Sequence, residues 1–430
     1  MNSSVGAERL WYAEVTRYQW IVLAIACLGW VFDVFEGQIF TIFKTPAMAE
    51  LLGVAEKDPR VGFYSDVSFA SFLVGGAVGG LLFGMLADRI GRRQSMVWSI
   101  LTYSVFSGLH YFAGTWWHVA ILRFFVAMGV GGEWAVAAAL VAEVFSGKAR
   151  TAAGGIFHTS SVLGVMLATI VGILLTGATD WRWAFLLGLL PAFLVVWILA
   201  SLKESEKWQA AKTRSGPAST ARGGGLRELM ADRRWRYRAL IGFGLAAIGL
   251  GTYWGILAYA IELIGQVLGG SVSDEERRRA ASTAYMIMNL AGSLVGQLAF
   301  TPITMRFGRR AAFAFYHAGA AIIVPLTFLT AATWTQTVVL LTITAFFVAG
   351  MHAGYAIYFP EMFPTRLRAT GASFCFNLGR LGSAVMLVVR GQLRNVLTFR
   401  HAVSIMSLLF VVGLVLLWFA PETKGEELPD

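Results

Sequence analysis

Long apolar runs broken by short polar turns dominate this chain. Runs near 18–43, 64–88, 94–113, 115–145, 151–178, 182–202, 238–266, 281–305, 310–331, 334–359, 367–390 and 400–420 stand out. Most reach the roughly 20 apolar residues a bilayer-spanning helix needs, and are too long to be strands. The pattern predicts an all-α membrane protein with twelve transmembrane helices. The first run is longer than a signal-peptide core, with no small-residue cleavage site leading into a soluble domain, so it is expected to persist as a mature helix.

Composition agrees: 57% of residues are hydrophobic and 14% charged. A net charge of +10 would suit nucleic acid if the basic residues formed one face of a soluble domain. They fall in short loops instead, which excludes nucleic acid and leaves the lipid bilayer as the large partner. Over alternate loops, 23 Lys and Arg lie on the side of the two termini and the 203–238 segment, against 10 on the other. By the positive-inside rule both termini are expected to be cytoplasmic, in a multi-pass protein of the cell (inner) membrane. Lys203 to Arg238 contains TRSGPASTARGGG, is basic and lacks apolar periodicity. It is expected to be a flexible cytoplasmic linker, 203–237, between six-helix bundles at 1–202 and 238–430. Cys27 and Cys375, both inside apolar runs, form no disulfide framework or metal-ligand spacing. With no metal cluster, lysine-bearing phosphate loop or nucleophile motif, neither an enzyme nor a cofactor is expected.

The two halves match each other. At an offset of 218, Glu143 falls on Glu361, Arg150 on Arg368, Leu163-Gly164 on Leu381-Gly382 and Glu204 on Glu422; at 217, RIGRR (Arg89 to Arg93) falls on RFGRR (Arg306 to Arg310). Charged residues recurring at corresponding loop positions mark a duplication, and duplicated six-helix bundles imply a transporter with its site between them.

GMLADRIGRR (Gly84 to Arg93) resembles the signature loop between the second and third helices of the major facilitator superfamily, and RFFVAMGVG (Arg123 to Gly131) its fourth-helix motif. PEMFPTRLRATG (Pro360 to Gly371) and PETKG (Pro421 to Gly425) resemble the sugar-porter branch and its organic-ion relatives. The run GEWAVAAALVAEVFSGKAR, the acids of FDVFEG, and WRWAFLLGLLPAFLVVW followed by ESEKW are similar to the sialate:proton symporter family, which includes lactate and other carboxylate carriers. The resemblance implies the major facilitator fold of two six-helix repeats. One departure stands out: Met305 occupies the place of Asp88, and Thr301 that of Gly84, so the second half keeps its arginines but lacks the acid.

Gly84 permits close helix approach, while Asp88 and Arg92 put opposite charges at a helix end. Pairing among these, Glu143, Arg150, Arg309, Glu361 and Arg368 is expected to form a cytoplasmic gate. Ordinary snorkelling charges would explain the arginines but not the paired acids.

Asp33 and Glu36 lie in the first span, three residues apart and on one helix face. Carboxylates at that depth survive where they face a cavity, a counter-charge or a proton. Two such charges repel, so one is expected to hold a proton over part of the working pH range. Arg123 in the fourth span is the candidate partner, with Glu133 ten residues deeper; these four are the proton-coupling candidates. The alternative is a fixed Asp33–Arg123 ion pair. Arg380, mid-span in FCFNLGRLGSAV beside Asn377, has no acid in its own helix, and its guanidinium fork suits a carboxylate. Pairing with Asp33 or Glu36 is the competing reading. Tyr355 and Asn289 complete the candidate substrate lining, with Tyr358 as a further neutral position. His158, His317 and His352 are, taken singly, expected to be packing residues.

Together these features predict a secondary active transporter working as a monomer, which carries a small organic anion, a monocarboxylate such as lactate or a sialate-like sugar acid, in symport with protons. The alternatives are a sugar or other organic-solute porter, or a non-transporting nutrient sensor on the same fold.

Overall fold

The computed structural model describes residues 11–175, 181–222, 225–257, 259–269 and 272–429. Ten helical segments there are long and apolar enough to cross a membrane by length and composition: α1 (Arg17–Leu52), α2 (Pro59–Ile90), α4 (Trp116–Val144), α5 (Gly147–Leu175), α6 (Arg182–Ser201), α7 (Arg233–Leu268), α8 (Arg279–Phe307), α9 (Arg309–Thr330), α10 (Trp334–Glu361) and α12 (Phe399–Phe419). Two more complete the twelve expected: α3 (Arg92–Leu109) and α11 (Arg368–Val396), the latter carrying several arginines.

Local chemistry sets the helix ends. Thr16 caps α1: its hydroxyl accepts from Gln19 N, and the Gln19 side chain accepts from Thr16 N at 2.8 Å. Gly53 ends that helix in the left-handed region at φ 65°, and Asp58 with Pro59 opens α2. Large apolar residues such as Ile173, Phe193, Ile322 and Trp418 point outward and stay exposed, the expected surface of a bundle surrounded by lipid. The inward faces are small: Gly75, Gly79 and Gly131 let α2 and α4 pack backbone to backbone, and Gly132 makes room for the Phe83 side chain.

The twelve helices form two six-helix halves. Across the boundary α2 lies along α11, α4 touches α11 and α10, and α5 packs on α8 and α10. In the second half α7 and α8 widen into π-helical turns at Tyr253–Leu257 and Met288–Ser293.

The segment expected to be flexible contains helices at Glu206–Arg222 and Leu226–Ala231. A tertiary contact absent from the composition explains the order at its start. Trp208 is buried and its indole N–H donates to the Asp88 carbonyl at 3.0 Å.

Candidate transport site and gate

At the end where α1 begins and α12 finishes, charged groups knit the halves together. Arg92 donates to Asp88 at 2.9 Å, to Glu143 at 2.7 Å and, across the boundary, to the Thr365 carbonyl at 2.7 Å. Glu143 also accepts from Arg368 of the other half at 2.9 Å. Asp88 takes the amides of Ala369 and Thr370, at 3.3 and 2.9 Å, and so caps the start of α11. Gly84 lies so close to α11 that a Cβ there would meet Ala369 O and Ser373 Cβ at 3.0 Å.

The duplication is visible in three dimensions. Glu204 accepts from the amides of Arg92 and Arg93, and Glu422 from those of Arg309 and Arg310. Gly91 and Gly308, at φ 110° and 97°, make the preceding turns. Arg309 pairs with Glu361 at 2.8 Å as Arg92 does with Glu143. The halves differ where the sequence does. With Met305 in place of an acid, the tie to α5 is made by Arg309, which donates to Thr151 Oγ1 at 2.7 Å. Arg150, expected in the ion-pair network, makes no ion pair among the described residues; its Nε donates to the Phe145 carbonyl at 3.3 Å. Arg150 lines a cleft with Lys207 and Glu427. Partial desolvation, then repulsion from Arg150 and Arg368, lowers the pKa of Lys207 from its ordinary value.

Midway through the bundle the acids divide differently from the expected Asp33–Glu36 pairing. Glu36 accepts from Arg123 at 2.9 Å and from Ser107 Oγ at 2.8 Å, while the Arg123 guanidinium lies between the rings of Phe40 and Phe72. Arg123 thus belongs to Glu36 and not to Asp33. Asp33 instead meets Glu133 of α4, carboxyl against carboxyl within hydrogen-bonding reach. Among the described residues none donates to any of these four buried oxygens. Two carboxylates offer only acceptors, so the contact closes only with a proton between them.

Arg380 is close enough to act electrostatically on Asp33, yet it makes no hydrogen bond or ion pair among the described residues. Its guanidinium sits 5.0 Å from the Phe376 ring centroid, partly exposed. The other substrate candidates are engaged elsewhere. Asn377 Nδ2 donates to Gly131 O at 2.9 Å and Ser373 Oγ at 3.0 Å, tying α11 to α4. Tyr355 donates to the Leu245 carbonyl at 3.1 Å, Asn289 to the Tyr285 carbonyl of its own helix at 2.9 Å, and Tyr358 to the Pro421 carbonyl at 2.5 Å. Of the four named for substrate, Arg380 alone keeps its full donor set uncommitted.

Taken one at a time, the histidines do not show that two of them meet. His317 is a packing residue, bonded to the Phe313 carbonyl at 2.8 Å. His158 and His352 come together across the boundary, among Trp30, Trp134, Phe376 and Tyr355. Their equivalent depth in α5 and α10 was the available signal.

Comparison with known proteins places this architecture. The chain matches the Major Facilitator Superfamily over residues 20–292 and Sugar (and other) transporter over 217–430. It is 30% identical to a putative metabolite transport protein of Haemophilus influenzae, covering 96% of this chain and 99% of that one. A probable 4-methylmuconolactone transporter of Cupriavidus pinatubonensis is 29% identical over 96% and 93%, and the sialic acid transporter NanX of Escherichia coli K12 26% over 95% of each. Among solved structures, the proton:xylose symporter XylE bound to 6-bromo-6-deoxy-D-glucose aligns with TM-score 0.76 at 18% identity, covering 96% and 98%. This chain belongs to the major facilitator superfamily, and is a multi-pass membrane transporter of organic solutes rather than an enzyme.

Proposed function

We propose that the protein imports a small organic anion, a monocarboxylate or a sialate-like sugar acid, together with one or more protons. It does so as a monomer in the inner membrane, with both termini cytoplasmic. The observation that carries the reading is Arg380, a guanidinium in the middle of the bundle that no described group neutralises by hydrogen bond or ion pair. A carboxylate supplies what it lacks, bidentately. The relatives named for sialic acid and 4-methylmuconolactone support an organic-acid cargo.

Asp33 and Glu133 are the proton carriers, and Glu36–Arg123 a fixed ion pair bracing α1 against α4. Proton uptake has an electrical purpose. Moving one negative charge inward against 100 mV costs about 2.3 kcal/mol, and one accompanying proton cancels it. The bundles 1–202 and 238–430, joined by 203–237, rock about the site. The network of Asp88, Arg92, Glu143, Arg309, Glu361 and Arg368 holds its cytoplasmic side shut in the state described, with Arg150 flanking it. Asn377, Tyr355 and Asn289 are the further candidate positions for the substrate, available once their bonds within the protein are exchanged.

The test is uptake into proteoliposomes of labelled lactate, sialate, benzoate and xylose under an imposed pH gradient. Carboxylate-selective, gradient-driven uptake is expected; uptake of xylose alone overturns the reading.

A further inference from the structure

The His158 and His352 rings, one from each half, lie 6.4 Å apart between centroids. Their neighbours decide which nitrogen carries hydrogen. The Trp134 indole N–H can only donate, and it lies 3.2 Å from His158 Nδ1, so that nitrogen accepts and Nε2 bears the hydrogen. The Gly249 carbonyl can only accept, and it lies 3.2 Å from His352 Nε2, so there Nε2 bears the hydrogen and Nδ1 keeps its lone pair. The two remaining nitrogens, His158 Nε2 and His352 Nδ1, have no hydrogen-bond partner among the described residues. His158 and His352 keep 3% and 7% of their surface exposed, where His317 keeps none.

One half therefore presents an N–H and the other a lone pair. A hydroxyl satisfies both through a single oxygen, accepting from one and donating to the other. The pair also shares a wall with Arg380: the Phe376 ring is 6.1 Å from the His158 ring and 5.0 Å from the Arg380 Cζ.

We propose that His158 and His352 form a hydroxyl-binding subsite and that the cargo is a hydroxy acid. Its carboxylate lies on Arg380; its hydroxyl accepts from His158 Nε2–H and donates to His352 Nδ1. The assignment rests on the organic-anion reading above and narrows its substrate class. Because the histidines belong to different halves, the hydroxyl is gripped from both sides only when the halves are together, so these contacts favour the closed arrangement.

The test is uptake into proteoliposomes, above protein-free liposomes, of two matched pairs: lactate against propionate and 3-hydroxybenzoate against benzoate. Wild type is expected to favour the hydroxy acid roughly tenfold in kcat/KM, the scale of two net hydrogen bonds. His158→Phe and His352→Phe should each pull that ratio towards one, and His158→Gln, which can donate and accept, should restore part of it. The ratio within one preparation cancels losses of folded protein. If both Phe variants fail to reach the membrane, the wild-type ratio alone decides. Equal uptake of hydroxy and deoxy acids by wild type, or a ratio unmoved in a folded Phe variant, overturns the subsite while leaving the anion carrier standing. Uptake of xylose with none of the four acids removes both.

Discussion

Glu143→Gln tests the proposed gate. The Glu143 carboxylate accepts from Arg92 at 2.7 Å and from Arg368 at 2.9 Å, and both guanidiniums are fully buried. The amide keeps the shape and removes the charge that Arg368 relies on, while Arg92 retains Asp88. Breaking a buried pair costs about 3–5 kcal/mol, a factor of roughly 10² to 10³ or more in an equilibrium. Part of that penalty disappears when the gate opens and water reaches the arginines, so the loss falls mainly on the closed state. The assay is the reaction rate of a cysteine replacing Ala369, buried in the closed gate, with an impermeant maleimide in inside-out vesicles lacking Cys27 and Cys375. Glu143→Gln should raise that rate at least tenfold while the protein stays monodisperse in detergent. An unchanged rate in a folded variant would refute the gate.

The other substitutions probe the middle of the bundle and the topology. Asp33→Asn should abolish pH-driven accumulation and leave some exchange of substrate for substrate, whereas Glu36→Gln should chiefly lower thermal stability, read by a detergent melting assay; normal accumulation in both would make the acids structural. Arg380→Lys should weaken acid binding and Arg380→Gln weaken it further, by about 2–5 kcal/mol, as titrated on protein shown to be folded; unchanged affinity in Arg380→Gln removes it as the clamp. A cysteine replacing the exposed Lys212 should resist an impermeant thiol reagent added to intact cells, and rapid labelling there would reverse the topology.

Local rules carried the sequence reading where they sufficed. Span length gave the helices, and the repeat at offsets of 217 and 218 located Arg92, Glu143, Arg309 and Glu361, which the fold then pairs as equivalents. Loop positions survive duplication because they close helix ends, a local requirement. The mid-bundle pairing was not readable in the same way. Glu133 lies ten residues past Arg123, about 15 Å along a helix, yet their partners Asp33 and Glu36 are only about 4.5 Å apart along theirs. Long side chains and the packing of α1 on α4 take up the difference, and neither is written in spacing. The histidine pair was hidden for a similar reason. Each ring alone looks like packing, and its chemistry appears only when Trp134 and Gly249 assign its hydrogen. Arg150 makes no ion pair among the described residues, and Glu361 is paired with Arg309 instead.

Whether the acid crosses with a proton is read by following both at once. Proteoliposomes loaded with a pH-sensitive dye, with no gradient imposed, receive external sialate, which does not cross lipid unaided. Symport should acidify the lumen in step with sialate entry, and Asp33→Asn liposomes should show no acidification. Sialate entry by wild type with no change in lumenal pH would contradict it.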